Sequence, residues 1–142
     1  MKKLFLLAML CLALGMSAQT DKNAKPVYAF GYAISFSDSV ITLTATQALP
    51  SAQLTAKSKF LKGINLYSAQ LKQHMVDNLG GYPTCTIFYH TNRAKLEKRY
   101  AKLKKSILKA KDYQLKELGP DEFAFKAVSN ESIEHNQIEK SE

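Results

Sequence analysis

Cys85 and the three histidines are the side chains that could supply nucleophilic or metal chemistry. A catalytic thiol needs a neighbouring imidazole to lower its pKa. Cys85 and His90 share the run Thr84–His90 (TCTIFYH), which reads as a strand, and an odd separation sends them to opposite faces. His74 would have to reach Cys85 from the helix before that strand. Cysteine is among the most buried residue types, so Cys85 is expected to act as a small core hydrophobe. His74, His90 and His135 are remote from one another, with no C-x-x-C or H-x-x-x-H spacing, so neither a metal site nor a cofactor is expected. Gly80-Gly81 follows a helix, whereas phosphate cradles precede one. Asp38, Asp77, Glu97, Asp112, Glu117, Asp121 and Glu122 form no motif that would single out a carboxylate pair for hydrolysis.

A different chemistry is written into residues 93–111. Leu96, Tyr100, Leu103, Ile107 and Ala110 recur at steps of four and three, the stripe of an amphipathic helix, and Asn92 is placed to cap it. Lys95, Lys98, Arg99, Lys102, Lys105 and Lys109 occupy the rest of its surface. These six are the candidate anion-binding residues. Their partner would be a phosphorylated lipid headgroup, an acidic polysaccharide or an acidic protein, held by charge and released by salt. Nucleic acid is disfavoured, because too few aromatic residues lie outside the packing stripe to build a stacking platform. The competing reading is a solvated face that serves solubility alone. Residues 91–118 hold ten basic and three acidic side chains, a net of +7, whereas residues 119–142 hold six acidic and two basic, a net of −4.

Around this helix the hydrophobic pattern predicts a small set of elements. Val27, Tyr28, Phe30, Tyr32, Ile34 and Phe36 recur mostly at every second position, and residues 40–46 alternate Ile41, Leu43 and Ala45 against Val40 and three threonines. With Ser37-Asp38-Ser39 between them, the two runs form an antiparallel hairpin. Residues 47–62 show no clean period and are expected to be a long connection with one irregular helical turn, which makes them a natural place for a binding loop. Ile64, Tyr67, Leu71, Met75, Asn78 and Leu79 mark an amphipathic helix stopped at Gly80-Gly81. The run Thr84–His90, apolar on both sides, reads as a central strand. Residues 112–118 are expected to be a strand that pairs in parallel after a helical crossover. Residues 123–128 (FAFKAV) read as a short closing strand, and the polar remainder as unstructured.

The chain opens on Met1-Lys2-Lys3, an apolar run from Leu4 to Leu14 and the small residues of Gly15–Gln19, the pattern of a secretory signal cut after Ala18. The run falls short of the ~20 apolar residues a spanning helix needs, and no other stretch approaches that length. Export therefore places the mature protein in the periplasm or outside the cell. Cleavage would leave 18 basic and 12 acidic side chains, a net of +6, and Cys85 as the single thiol, excluding a disulfide scaffold. At 142 residues with 46% hydrophobic composition the chain suits one domain and excludes wholesale disorder.

In Tyr67–Gln73 (YSAQLKQ), Thr84–Phe88 (TCTIF) and Lys95–Lys105 (KLEKRYAKLKK), the chain resembles uncharacterised small exported proteins of Bacteroidales. That resemblance implies export and a single domain, and brings no activity, cofactor or catalytic residue with it.

The expected architecture is one α/β (α+β) domain over residues 27–128, with a mixed sheet of four to five strands packed by two helices in the order β-β-α-β-α-β(-β). A linker at 19–26 would precede it, and a disordered acidic tail at 129–142 would follow, free to fold back on the basic helix. The expected function is that of an exported, non-enzymatic binding or accessory protein of the cell envelope. Two alternatives stand beside it: a small hydrolase or thiol enzyme with a pocket formed by residues 47–62 near Cys85, and a structural protein that oligomerises through an exposed edge of the hairpin.

Overall fold

A computed structural model describes residues 25–139. The expected signal segment at 1–18 and most of the linker lie outside the described residues, as do residues 140–142. Within them the chain forms a mixed α/β fold of a single domain: β1 (Tyr28–Ser35), β2 (Val40–Thr44), β3 (Gln47–Ala48), α1 (Ile64–Leu79), β4 (Thr84–His90), α2 (Arg93–Ala110), β5 (Gln114–Leu118) and α3 (Asn130–Glu139). None of the described helices is long and apolar enough to cross a membrane.

The sheet is built on β1. β4 pairs along its whole length on one side, antiparallel from Tyr28↔His90 to Ile34↔Thr84. On the other side β2 pairs with the second half of β1 and β3 with the first. β5 closes the far edge, parallel to β2 from Val40↔Gln114 to Thr44↔Leu118. β4 and β5 thus run in one direction with β1 and β2 between them. The helical crossover joins the two outer strands rather than an adjacent pair. Two expectations are corrected here. Thr84–His90 is an edge strand rather than a central one, and the hairpin edges are not exposed but covered by β4 and β5, whose own outer sides form the edges of the sheet.

A bulge separates β2 from β3. The register passes from Tyr32↔Leu43 to Ala29↔Gln47, so Phe30 and Gly31 face three residues, Thr44, Ala45 and Thr46. The ladder hydrogen bonds lost there are recovered elsewhere: the Gly31 N–H donates to Thr44 Oγ1 at 2.8 Å, and the Ala45 N–H donates to the Leu118 carbonyl at 2.9 Å.

Alternate residues of the sheet feed two cores. Tyr28, Phe30, Tyr32, Ile41, Leu43, Phe88 and Leu115 pack under α2 with Leu96, Tyr100, Leu103 and Ile107. Ala29, Ala33, Cys85 and Ile87 pack under α1 with Tyr67, Leu71 and Met75. The α1 side of β1 carries only small residues because the helix comes close: a Cβ on Gly31 would lie 2.5 Å from Leu71 Cδ2. Each helix ends as the sequence dictates. Asn92 accepts the Lys95 N–H at the start of α2, and Gly63 and Gly80, both at φ 71°, bracket α1.

Three segments depart from expectation. Residues 47–62 contain β3 and a small antiparallel excursion closed by a Leu54↔Leu61 bridge, rather than a helical turn. Residues 123–128 are extended but join no ladder. Instead Gln47 Oε1 accepts the Phe125 N–H at 2.7 Å, and the Gln70 amide brackets Lys126, accepting its N–H at 2.8 Å and donating to its carbonyl at 3.0 Å. This pinning buries Phe123 and Phe125 together in the α1 core, ring centroids 4.9 Å apart. Finally, the stretch expected to be a disordered tail is helical over Asn130–Glu139. Ile133 reaches the start of α1 beside Gly63, and Asn136 accepts a hydrogen bond from Asn65. A third helix therefore joins the two expected, placed at α1 and not on the basic helix.

Candidate functional site

α2 turns its apolar stripe onto the sheet and its cations away from it. Leu96 and Ile107 are buried and Tyr100 and Leu103 half-buried, while Lys95, Lys98, Arg99, Lys102, Lys105 and Lys109 are all exposed. At about 100° per residue these six fall within roughly a third of the helix circumference, along ~21 Å of axis. Ala110, the last residue of the expected stripe, is exposed as well.

Charge pairing on α2 is uneven. The two cations flanking the packing stripe find carboxylates: Arg93 Nε lies 3.0 Å from Glu97 Oε1, and Lys104 Nζ lies 3.1 Å from Glu117. None of the six outer cations forms an ion pair among the described residues. They instead repel one another at i,i+3 and i,i+4 separations, as in Lys98, Lys102, Lys105 and Lys109. Each such contact costs roughly 0.2–0.5 kcal/mol in an isolated helix. Lys95 also sits in the first turn, where the helix dipole opposes a positive charge, and that turn holds no acidic residue.

Arg99 is the one outer cation with a fixed seat. Its Cζ lies 4.6 Å from the centroid of the Phe88 ring, and Phe88 in turn stacks on the buried Phe30 at 5.0 Å and 19°. The sheet thereby anchors one guanidinium without neutralising it, a contact worth about 0.5–1 kcal/mol at an exposed site.

The carboxylate of Glu117 fastens the other flank. It accepts a 2.7 Å hydrogen bond from the Tyr100 hydroxyl as well as one from Lys104, and these two bonds hold its pKa below the ordinary carboxylate value. Burial, and then the Glu117 bond, pushes the Tyr100 hydroxyl far above the ordinary phenol value. Neither residue was singled out by motif. Their spacing in sequence is remote, and only the crossover geometry brings β5 against α2.

Cys85 and the three histidines each have separate surroundings. Cys85 is half-buried on the α1 side, where burial raises its thiol pKa and the nearby Lys72 only partly offsets that. His90 Nδ1 accepts the Asn92 N–H at 2.8 Å, a structural role at the entrance to α2. His74 stacks edge-on against Phe123 at 5.1 Å and pairs with Asn78. His135 lies on α3. No group of three or more His, Cys, Asp or Glu residues is arranged to hold a metal among the described residues. Residues 47–62 are anchored by Leu49 and Leu61, both buried in the α1 core, with the Leu61 N–H donating to the Tyr89 hydroxyl at 3.1 Å, while residues 56–60 between them are exposed.

Compared with family models, curated proteins and solved structures, the chain matches none, so the reading of the site rests on its own geometry.

Proposed function

We propose that this protein is an exported, non-enzymatic binding module of the cell envelope, and that the outer face of α2 engages an extended polyanion. One observation carries the reading. Lys95, Lys98, Arg99, Lys102, Lys105 and Lys109 form a continuous stripe without a compensating carboxylate among the described residues, while Arg93 and Lys104, across the helix at the edge of the packing stripe, are paired. A face serving solubility alone gains nothing from such segregation, since interspersed signs keep a protein in solution without self-repulsion. A polyanion laid along the stripe would relieve that repulsion at each lysine.

An acidic polysaccharide fits this surface better than an anionic bilayer. The apolar stripe of α2 is spent on the sheet and Leu108 is the one large apolar side chain it leaves exposed among the described residues, too little for an inserting face, so attraction would rest mainly on charge. Binding of this kind weakens steeply with ionic strength. The mature chain should be retained on immobilised heparin at low salt and elute as salt rises. Replacing Lys98, Lys102 and Lys105 by Glu should abolish retention while leaving the melting temperature unchanged or raised. Retention that survives the triple replacement refutes the proposal, and stronger retention on vesicles of anionic lipid than on heparin moves the partner to the membrane.

A further inference from the structure

α1 covers only half of its side of the sheet. It packs on β4 and β1, and Phe123 with Phe125 covers one end of the β2–β5 half. The other end stays open as a cleft of about 380 Å³, between β2, β5 and the C-terminal turns of α1. Met75, Leu79 and Pro83 form one wall and Val40 part of the floor. Leu79 is 46% exposed although it belongs to the apolar stripe of α1, so the cleft leaves greasy surface uncovered.

Polar groups stand at both ends. Thr42 and Lys116 are register partners on β2 and β5 and sit at the inner end. Thr42 is 1% exposed, and its Oγ1 has no hydrogen-bond partner. Lys116 is exposed and forms no ion pair among the described residues. Asp38, in the hairpin turn, stands at the outer end. The hydroxyl and the ammonium, carried on paired strand positions, can both donate, so a single acceptor between them would serve both. Mostly apolar walls with a few converging polar groups, in a space of this size, are the features of a small-molecule site.

We infer that this cleft binds a small amphiphilic carboxylate, its head at Thr42 and Lys116 and its alkyl body along Met75, Leu79 and Pro83. The site is separate from α2, which lies on the opposite side of the sheet. It would give the protein a second, lipid-like ligand independent of any polyanion. Asp38 at the outer rim opposes a carboxylate entering head-outward, and so favours the orientation with the head inside.

The test uses decanoate below its micelle-forming concentration, with methyl-labelled methionine observed by NMR. The Met75 signal is identified by its loss in Met75→Leu. Decanoate should shift it saturably, and decylamine should bind at least tenfold more weakly. Lys116→Gln should weaken decanoate about tenfold. Thr42→Val should weaken it several-fold while raising the melting temperature, a pair of opposite effects that a purely structural threonine would not produce. The α2 triple replacement should leave decanoate binding intact, which keeps this result apart from that of the heparin experiment. Absence of a saturable shift at Met75, decylamine binding as well as decanoate, or affinity indifferent to both Lys116→Gln and Thr42→Val would each overturn the inference.

Discussion

The two sides of the sheet are packed by opposite strategies, though the same strands supply both. Under α2, β1 presents Tyr28, Phe30 and Tyr32, with Phe88 beside them, and the helix rides on a layer of rings. Under α1, β1 presents Ala29, Gly31 and Ala33, and the helix descends until Leu71 would touch any side chain placed at Gly31. Large residues fill their layer and leave the outward surface of α2 free to carry its row of cations. Small residues demand close approach over a narrow strip, so α1 covers β4 and β1 and leaves the β2–β5 half to other segments. One side thus yields a charged ridge and the other a greasy recess, and both follow from which residues alternate along one strand.

That contrast is open to attack by mutation. The largest effect is expected at Phe30, fully buried between the Phe88 and Tyr100 rings: Phe30→Ala should destabilise by about 3–5 kcal/mol in chemical denaturation. A much smaller loss would mean the ring layer is dispensable. Next, Gly31→Ala should cost about 1–3 kcal/mol by overpacking against Leu71. In a Leu71→Ala background that cost should shrink, giving a favourable coupling in a double-mutant cycle. Equal cost in both backgrounds would show that something other than the close approach of α1 forbids a side chain there. Thr42→Val should run the other way and stabilise by roughly 1 kcal/mol, because it removes a buried hydroxyl without a partner, whose cost is about 1–3 kcal/mol. A destabilised valine variant would reveal a partner for that hydroxyl.

The smallest effect concerns the pin between α2 and β5. Hydrogen bonds from Tyr100 and Lys104 depress the Glu117 pKa, so its contribution is present above the unfolded carboxylate pKa of about 4.3 and fades as pH falls through the lower folded value. Glu117 is substantially exposed, which makes this contribution modest. Glu117→Gln should therefore flatten the acid limb of a stability–pH curve and change stability little at neutral pH. The raised Tyr100 pKa has the opposite sign: its contribution is complete below pH ~10, the unfolded phenol value, and is lost as pH rises beyond that. Tyr100→Phe should remove this alkaline loss, and an unchanged alkaline limb would place the titration elsewhere.

Both long helices were legible in the residues because each has a continuous apolar stripe and a capping residue. α2 was expected from Arg93 and forms from Arg93; α1 was expected to stop at Gly80-Gly81 and does. The exchange of roles between β1 and β4 was hidden for a physical reason. Ala29, Gly31 and Ala33 are as buried as the rings opposite them, but small residues look neutral in an alternation pattern, so β1 reads as half-exposed. β4 is apolar on both faces because a helix lies over each, which holds at an edge as well as at a centre. The bulge left no trace, since Thr44-Ala45-Thr46 continues the β-branched run without glycine or proline. α3 escaped because Ile133 and Ile138 are too few to mark a stripe, and its placement depends on Gly63, some seventy positions earlier. As for the candidate site, the six cations were evident from spacing, whereas the cleft arises from partial coverage of a sheet and has no signature along the chain.

The inserted residue between β2 and β3 works as a half-turn crank. Before it, odd-numbered Ile41 and Leu43 face the aromatic layer; after it, odd-numbered Gln47 and Leu49 face the other. A single hairpin arm therefore stitches both layers, and Gln47 reaches Phe125 only because of that change of phase. Deleting Ala45 would make the ladder regular yet leave Gln47 opposite Ala29 on its present face, so the Phe123–Phe125 clasp should survive; the full-length arm forced into a regular ladder would instead carry Gln47 opposite Tyr28, away from Phe125.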